Sequence, residues 1–387
     1  MIGSKKHIDR LREIPTPFYF YDMDLLRTTL DAVTSEAAKY GYKIHYAMKA
    51  NFNERIIGEM KKYGLGMDCV SGGEVRRSIE CGIPASEIVF AGVAKTDAEI
   101  RYGLEHDIFS FNCESRQELE VINAIAGEMG KTANIALRIN PDVDPMTHRH
   151  ISTGKADNKF GISYQEVDEV IEELASLPNL HIVGIHFHIG SQITEMKPFE
   201  YLSLRCNTIQ EWFESKGFRL QHINVGGGLG IDYADPAAHP APDFAEYFAV
   251  FHKHLQVRPG QTVHFELGRS LVGQCGELLT TVLYNKVTAG GIRIALVDAG
   301  FTELMRPALY GASHRIENLT SAGERNTYMV AGPICESTDV FARDLELPET
   351  RRGDLLRLMS AGAYGRSMSS NYNLREFPQE IFSDDLK

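Results

Sequence analysis

Residues 43–51 read Lys-Ile-His-Tyr-Ala-Met-Lys-Ala-Asn. The first part of this stretch is typical of a strand that ends at Lys49, and a helical run from Glu54 to Tyr63 follows. Lys49 is therefore predicted in a loop at the carboxyl end of a strand, where α/β barrels build their active sites. A lysine held there beside apolar residues can lose its proton and attack a carbonyl as a free amine, although most lysines are solvated surface charges.

The pattern outside this stretch is an alternation of strands and amphipathic helices. Val167, Val170, Ile171 and Leu174 illustrate it, because they fall at helical spacing with acidic residues between them. Eight strands within about 240 residues predict a (β/α)8 TIM barrel, and a doubly wound sheet is the alternative that the strand count disfavours. The predicted strands are 43–48, 66–70, 88–91, 108–111, 134–139, 182–188, 221–225 and 262–266, and the clearest helices between them are 72–81, 115–129, 164–176 and 199–216.

The pattern changes after residue 270, where apolar stretches follow one another with Gly and Pro between them and no long helix. This arrangement predicts a second, mostly β domain. The aromatic strand 18–21 has no place in the barrel count, so we expect it to join that domain, while the polar tail 377–387 is expected to fray. The predicted strands here are 277–287, 292–298, 326–331 and 353–359, and the predicted domains are 22–268 for the barrel and 1–21 with 269–387 for the β domain.

Bulk composition excludes several classes of function. The 387 residues carry a formal net charge of −12, which argues against nucleic acid and anionic membranes as partners. No apolar run reaches the ~18 residues of a transmembrane helix, and the N-terminus lacks the apolar segment of a signal peptide. Six scattered cysteines without a CxxC motif indicate reduced, cytoplasmic thiols rather than disulfides or zinc. His186 and His188 have a metal-ligand spacing, but no third ligand is evident, so no metal is predicted.

Unusual residues recur at the carboxyl ends of the predicted strands, which meet at one face of a barrel. Each of them also has a simpler explanation. The glycines could be a flexible turn instead of a phosphate cradle, the histidine a buried core group, and the carboxylate the partner of the nearby arginine. The residues in question are Lys49, Asp68, His188, Gly226, Gly227, Gly228, Glu266 and Arg269.

Taken together, these side chains match the parts of a pyridoxal 5′-phosphate site. A lysine forms the Schiff base, and glycines with an arginine bind the phosphate. A flat ring stacks on the cofactor, and a carboxylate keeps the pyridine nitrogen protonated. No Walker A motif or GxGxxG spacing is present, which disfavours a nucleotide as the phosphate carrier.

The chain also resembles a known family, the barrel-type, alanine-racemase-like pyridoxal-phosphate decarboxylases of basic amino acids, and within it the diaminopimelate decarboxylases. Matching segments run through nearly the whole chain in the family's order. One departure is Leu267, where the family usually has proline; we expect altered backbone stiffness from it. The segments are Tyr-Ala-Met-Lys-Ala-Asn (46–51), Asp-Cys-Val-Ser-Gly-Gly-Glu (68–74), Lys-Phe-Gly-Ile (159–162), His-Ile-Gly-Ser-Gln (188–192), Asn-Val-Gly-Gly-Gly (224–228), Glu-Leu-Gly-Arg (266–269), Cys-Glu-Ser-Thr-Asp (335–339) and Gly-Ala-Tyr-Gly (362–365).

The resemblance implies a role for each matching residue toward the cofactor. Lys49 would hold it covalently, His188 would stack on its ring, and Glu266 would face the pyridine nitrogen. Arg269 lies at or near the phosphate in this scheme, and Tyr364 touches the phosphate from the second domain. The remaining implied cofactor contacts are Asp68, Ser191, Gly226, Gly227, Gly228 and Gly268.

The resemblance further implies a substrate with two charged ends. Arg269, Arg306 and Tyr310, joined by Tyr364, would hold its distal carboxylate, Glu336 its distal amino group, and Cys335 would donate the proton that replaces carbon dioxide. Cys335 and Glu336 reach the neighbouring subunit's site in this family, which implies a homodimer with shared active sites. Without the resemblance, Arg306 would be interpreted as a surface charge, and Cys335 could be an inert core thiol, which is the commoner case.

The implied reaction is decarboxylation of meso-diaminopimelate to L-lysine, the last step of lysine biosynthesis. Ornithine and lysine decarboxylases, and then carboxynorspermidine decarboxylase, are the nearest alternatives; a substrate without the distal carboxylate would leave an arginine unpaired. A catalytically inactive regulatory homologue is a further alternative, and the intact Lys49 and Cys335 argue against it.

Overall fold

The computed structural model describes residues 5–141 and 159–386. The chain divides into two compact units. We call them the barrel unit (Leu30–Gly230 and Asp243–Gly268) and the β unit (Met1–Thr29, Ile231–Pro242 and Arg269–Lys387).

The described residues form strands and helices in the following order. The strands are β1 (Phe18–Tyr21), β2 (Lys43–Ala47), β3 (Gly66–Cys69), β4 (Ile88–Phe90), β5 (Ser110–Cys113), β6 (Ala133–Asn140), β7 (Ile162–Ser163), β8 (Leu180–His186), β9 (His222–Asn224), β10 (Thr262–Leu267), β11 (Gly276–Val287), β12 (Arg293–Val297), β13 (Ile316–Asn318), β14 (Arg325–Ala331), β15 (Val340–Pro348), β16 (Leu355–Leu358) and β17 (Gln379–Phe382). The α-helices are α1 (Lys5–Leu11), α2 (Met23–Ala38), α3 (Glu54–Lys62), α4 (Gly72–Glu80), α5 (Asp97–Glu105), α6 (Arg116–Glu128), α7 (Val167–Leu174), α8 (Lys197–Ser215), α9 (Phe244–His254), α10 (Arg269–Val272) and α11 (Arg306–Tyr310).

The barrel unit is a closed parallel sheet. Strands β2, β3, β4, β5, β6, β8, β9 and β10 are neighbours in that order, and β10 pairs with β2 to complete the ring. The short β7 pairs with β6 alone. Because the sheet closes, the predicted (β/α)8 barrel is confirmed and the doubly wound alternative is wrong.

Helices begin soon after several of these strands because the loops supply capping side chains. Ser71 accepts a hydrogen bond from the backbone N–H of Glu74 at the start of α4. Thr96 and Glu99 form a reciprocal capping box that opens α5. Such caps satisfy amide donors that a helix start leaves unpaired.

Alternation along β10 directs Glu266 into the barrel. Phe265 faces outward, where its ring lies 4.9 Å from that of Phe248 and 5.0 Å from that of Phe251, both in α9. Successive side chains of a strand point to opposite faces, so the next residue, Glu266, points inward. The aromatic packing of α9 thereby fixes the orientation of a buried carboxylate.

Histidines fill part of the barrel interior. The His264 ring stacks between those of His45 and His222, with centroid distances of 5.0 and 4.8 Å. Phe109 closes the cluster at 5.2 Å from His222. Interiors of such barrels are ordinarily filled by branched aliphatic side chains, so this imidazole stack is an unusual core.

The β unit is a mixed sheet in the order β13-β16-β11-β12-β14-β15, with β1 and β17 attached. Strand β1 pairs antiparallel with β11 and parallel with β17. The prediction that the N-terminal aromatic strand joins this unit is confirmed. Phe18 and Phe20 of β1 pack with Leu11, Leu279 and Leu355 in a buried cluster.

The prediction that residues 377–387 fray is wrong for the residues that the structure describes. Residues Gln379–Phe382 form β17, which pairs with β1 in register. Ile381 packs against the cluster around Phe18, and Phe382 is buried. Backbone pairing with two apolar side chains is enough to order a segment that is otherwise polar.

Candidate active site

Lys49 lies in a short 3-10 turn, Met48–Ala50, directly after β2. Its Nζ is 2.9 Å from Oδ2 of Asp68, which is fully buried in β3. Burial and the nearby Glu266 raise the pKa of Asp68, while Lys49 opposes that rise. The lysine side chain is 37% exposed, so its amine sits beside a buried carboxylate and is still reachable.

Glu266 is the second carboxylate of the barrel interior, and it is held by three donors or potential donors. Its Oε1 accepts from Nδ2 of Asn224 at 2.7 Å and of Asn112 at 3.2 Å, and its Oε2 is 2.9 Å from Nε2 of His186. Burial alone would raise the pKa of Glu266, but His186 and Lys49 outweigh it and lower the pKa. Glu266 is therefore ionised, and one of its roughly four acceptor positions remains for a further donor.

Sequence reasoning missed Asn112 and Asn224 as supports of Glu266. Both lie in short strands, Ser-Phe-Asn-Cys and His-Ile-Asn, and both are buried. A polar side chain on the inward-facing side of a buried barrel strand was the signal that could have identified them.

His188 follows β8 and offers a neutral flat ring. The backbone N–H of Gly227 donates to its Nδ1 at 3.2 Å, so the neutral ring carries its proton on Nε2. Burial, followed by the charges of Arg138 and Lys49, lowers the pKa of His188 well below its usual value. A neutral imidazole in a fixed orientation suits stacking on a planar ligand.

The glycines after β9 have a steric reason that is independent of any ligand. A Cβ on Gly226 would lie 2.1 Å from the carbonyl oxygen of Phe187, and one on Gly227 would lie 1.9 Å from that of Glu266. Gly226 and Gly228 also have positive φ angles of 71° and 113°. This backbone passes too close to its neighbours for any larger residue, so a phosphate-binding role for the triplet stays a prediction.

Two further predicted cofactor residues lie in the same unit. A Cβ on Gly268 would meet the Cβ atoms of Ala47 and Ala50 at 3.1 Å, which is tighter than ordinary contact. Gly268 thus lets the end of β10 pack against the turn that carries Lys49. Ser191 is partly buried in the loop after β8.

In the β unit, the predicted substrate arginines lie in an aromatic cluster. Arg269 donates through Nη1 to the hydroxyl of Tyr233 at 2.6 Å, and its guanidinium carbon is 4.8 Å from the ring centre of Tyr364. The guanidinium carbon of Arg306 is 4.7 Å from the ring centre of Tyr233. Burial lowers the pKa of Arg306, and Tyr310, at the end of α11, is near enough to both arginines to act electrostatically against such a decrease. The structure therefore brings Arg269, Arg306, Tyr310 and Tyr364 together.

Sequence reasoning missed Tyr233 and His314 in this cluster. Tyr233 belongs to residues 231–242, a segment of the β unit that lies, in sequence, between the two segments of the barrel unit. His314 lies between α11 and β13, and its ring packs edge-on against Tyr233 at 5.1 Å. Nothing in their local sequence indicates these long-range contacts.

Cys335 and Glu336 lie in an exposed turn between β14 and β15. The hydroxyl of Tyr372 donates to Oε1 of Glu336 at 2.8 Å, and the backbone N–H of Cys335 donates to Oδ1 of Asn373 at 3.4 Å. Cys335 is the exposed member of the six cysteines, all of which are free thiols.

The part of the chain that the structure describes contains no group of three or more His, Cys, Asp or Glu side chains arranged to hold a metal ion. Among its helices, none combines the length and apolarity needed to cross a bilayer.

The barrel residues fit a pyridoxal cofactor. A reachable amine, a neutral flat ring and an ionised carboxylate with one open acceptor position are the groups that its aldehyde, ring and pyridine nitrogen require. Oδ1 of Asp68 is buried and has no hydrogen-bond partner among the described residues. An unsatisfied buried polar atom next to Lys49 is the mark of a site built for a further polar ligand.

Comparison with known proteins agrees with this geometry. Residues 26–273 match the pyridoxal-binding domain of the pyridoxal-dependent decarboxylases. A diaminopimelate decarboxylase of Bacteroides thetaiotaomicron is 52% identical over 380 residues, covering 98% of each chain. The crystal structure of the Helicobacter pylori diaminopimelate decarboxylase complexed with L-lysine superposes with a TM-score of 0.91 at 37% identity, covering 97% of this chain and 93% of that one.

A third relative is more distant. The diaminopimelate decarboxylase of M. jannaschii, solved in co-complex with L-lysine, has a TM-score of 0.88 at 35% identity and covers 97% of this chain and 88% of its own. Similarity of this extent over both units confirms the resemblance seen in the sequence. The chain belongs to the diaminopimelate decarboxylase family of pyridoxal-dependent decarboxylases.

Proposed function

We propose that this protein decarboxylates meso-diaminopimelate to L-lysine with pyridoxal phosphate as cofactor, the last step of lysine biosynthesis. The observation that carries the proposal is the cluster of Lys49, Asp68 and Glu266 at the carboxyl ends of the barrel strands. The relatives at 52% and 37% identity are diaminopimelate decarboxylases, which supports the choice of reaction. Residues 22–268 would form the cofactor-binding domain, and residues 1–21 with 269–387 the second domain.

When bound, pyridoxal phosphate supplies a conjugated ring that accepts the electron pair left behind as carbon dioxide departs. Lys49 would hold the cofactor, and Asp68 would keep its amine oriented. Glu266, already ionised, would hold the proton on the pyridine nitrogen, and the neutral ring of His188 would stack on the cofactor's face. Ser191, Gly226, Gly227, Gly228, Gly268, Arg269 and Tyr364 are proposed to surround the phosphate and the ring.

The cluster in the β unit would recognise the end of the substrate that does not react. Arg306 is buried, and its Nε has no hydrogen-bond partner among the described residues. A buried guanidinium of this kind binds a carboxylate bidentately. Arg269, Tyr310 and Tyr364 would complete that pocket.

Cys335 and Glu336 are proposed to act from a partner subunit in a homodimer. Their exposure supports this, since each would remain solvated in one chain and become enclosed only by another. Cys335 would protonate Cα after carbon dioxide leaves, and Glu336 would bind the distal ammonium group. Six free thiols support a reducing, cytoplasmic setting.

The test is product analysis with three substrates offered separately. Purified protein loaded with pyridoxal phosphate should release carbon dioxide and L-lysine from meso-diaminopimelate, and it should act much more slowly on ornithine and lysine. A Lys49→Ala variant supplies the background rate. Preference for ornithine or lysine would identify the alternative decarboxylase, and bound cofactor without turnover of any of the three would indicate an inactive homologue.

A further inference from the structure

Arg306 is held by neutral groups on two sides. Its guanidinium lies over the ring of Tyr233, and its Nη1 is 2.8 Å from Nε2 of His314. No carboxylate of the described residues forms an ion pair or a hydrogen bond with it. A buried cation is ordinarily paired with an anion of the same protein, so this environment is unusual.

The hydrogen bond that Nδ1 of His314 makes determines whether Nε2 carries a proton. Nδ1 is 2.8 Å from the carbonyl oxygen of Met359, which can only accept a hydrogen bond. Nδ1 therefore carries the ring proton, and Nε2 presents a lone pair to Arg306. Burial, followed by the charge of Arg306, lowers the pKa of His314 to about 3, so the ring stays neutral at physiological pH.

A neutral acceptor has a different effect on Arg306 from that of a carboxylate. It fixes the direction of one N–H bond, and it leaves the full positive charge for another partner. A carboxylate in the same place would fix the direction equally well, but it would cancel the charge and compete with an incoming anion. The edge-on contact of Tyr233 with His314 limits rotation of the imidazole.

We propose that His314 is a positioning residue for substrate recognition: it orients the Arg306 guanidinium toward the distal carboxylate of the substrate without neutralising it. This inference rests on the proposed function, because it requires a substrate that carries such a carboxylate.

Three substitutions test the roles of charge and of the hydrogen-bond acceptor at this position. His314→Gln keeps a neutral oxygen acceptor for Arg306, His314→Glu places a carboxylate of almost the same shape there, and His314→Leu removes the acceptor. For meso-diaminopimelate, we expect a KM near the wild-type value for Gln and a KM at least about tenfold higher for Leu, the usual effect of losing a hydrogen bond to a charged group. The His314→Glu variant should have a KM higher than that of His314→Leu. In all three variants kcat and the absorbance of bound cofactor should change little.

The outcomes separate the inference from simpler explanations. If His314 only fills space, Gln and Glu will behave alike, and any loss in Leu will follow its thermal unfolding midpoint; either result overturns the inference. A wild-type KM in the Leu variant overturns it as well, while the proposed function stands if the wild-type protein still converts diaminopimelate.

Other outcomes would contradict the proposed function. If the wild-type protein prefers lysine or ornithine, both the proposed function and the carboxylate role of Arg306 are wrong. If it converts none of the three substrates, a crystal structure of His314→Leu still decides the positioning role. A guanidinium that keeps its place over Tyr233 would overturn the inference, and a displaced one would support it.

Discussion

The barrel unit and the β unit both bury charged side chains, but they surround those charges differently. In the barrel, Lys49 faces Asp68 at 2.9 Å, and Glu266 is held by two asparagines and a histidine. In the β unit, Arg306 contacts an aromatic ring and a neutral imidazole and has no carboxylate partner among the described residues.

The difference corresponds to how long a ligand stays. Buried charges that are paired with other groups of the protein add little unfavourable free energy when the site is empty. They also hold a resident ligand in one orientation. An uncompensated guanidinium is costly when the site is empty, and the cost is recovered when an anion binds. The barrel arrangement thus suits a permanent cofactor, and the arrangement around Arg306 suits a substrate that enters and leaves.

The strongest test of the barrel half of this comparison is Lys49→Ala. Because Lys49 is proposed to hold the cofactor, the variant should lose the absorbance of bound pyridoxal phosphate and at least about a thousandfold in turnover, as is usual when a covalent catalytic group is removed. Borohydride reduction of the wild-type protein, followed by peptide mapping, should place the cofactor on Lys49. An adduct on another lysine would show that the assignment is wrong. Lys39→Ala, a surface control paired with Glu36, should change neither quantity.

Arg306→Ala tests the β-unit half of the comparison, the guanidinium without a carboxylate partner within the described part of the chain. Removing one partner of a buried charge pair costs about 2–5 kcal/mol, so the apparent affinity for diaminopimelate should fall by that amount. Bound cofactor should hardly change, because the loss is confined to the substrate pocket. Titration calorimetry and the cofactor absorbance measure the two quantities. Arg315→Ala is the matched control, since Arg315 is 41% exposed and pairs with Asp235 and Glu317. An unchanged affinity in Arg306→Ala would point to another carboxylate clamp.

The proposed sharing of sites between subunits predicts complementation. Lys49→Ala and Cys335→Ala homodimers should each be nearly inactive. After subunit exchange, half of the random dimers are mixed, and each mixed dimer has one site with both lesions and one with neither. Activity should therefore recover to about a quarter of the wild-type value, by two-fold symmetry. Exchange is followed with differently tagged subunits. Demonstrated exchange without recovery would mean that Cys335 acts within its own chain.

The sequence predicted the barrel well and the β unit incompletely. The eight barrel strands were predicted because short strand-like stretches alternate with amphipathic helical stretches, a local and repeated signal. Strands β13, β15 and β17 were missed. Val340–Pro348 alternates apolar and charged side chains, and Gln379–Phe382 has only two apolar residues, so their pairing depends on long-range partners.

The same division applies to the site. Lys49, His188 and Glu266 were predicted because each stands at the end of a strand, where position alone indicates chemistry. Tyr233 was not predicted because its contact with Arg306 joins segments far apart in the chain. His314 lies close to Arg306 in sequence, but the residues between the end of α11 and β13 have no periodic pattern that would indicate the contact. The carboxylate–asparagine contacts of Glu266 likewise depend on three different strands.

The last prediction concerns the imidazole stack inside the barrel, which should make this unit sensitive to acid. Burial lowers the pKa of His45 to about 4 and that of His222 to about 3, from the ordinary 6.5. Burial lowers the pKa of His264 as well. Below pH 6.5 these three histidines therefore bind protons in the unfolded chain but not in the folded barrel. Stability should fall as the pH is lowered from 6.5 toward 4, by up to about 1.4 kcal/mol per pH unit for each histidine.

His222→Leu isolates one of these contributions. Both ring nitrogens of His222 lack a hydrogen-bond partner among the described residues, so leucine should fold without leaving a partner unsatisfied. Urea unfolding at pH 7 should show equal or higher stability than the wild type, because a buried, unpaired polar group is removed. Between pH 6.5 and 4, the loss of stability per pH unit should be smaller than in the wild type by up to about 1.4 kcal/mol, the contribution of one titrating group. The exposed control His181→Leu should keep the wild-type slope. A His222→Leu slope equal to that of the wild type would show that His222 takes up its proton in the folded barrel, and that the stack does not resist protonation.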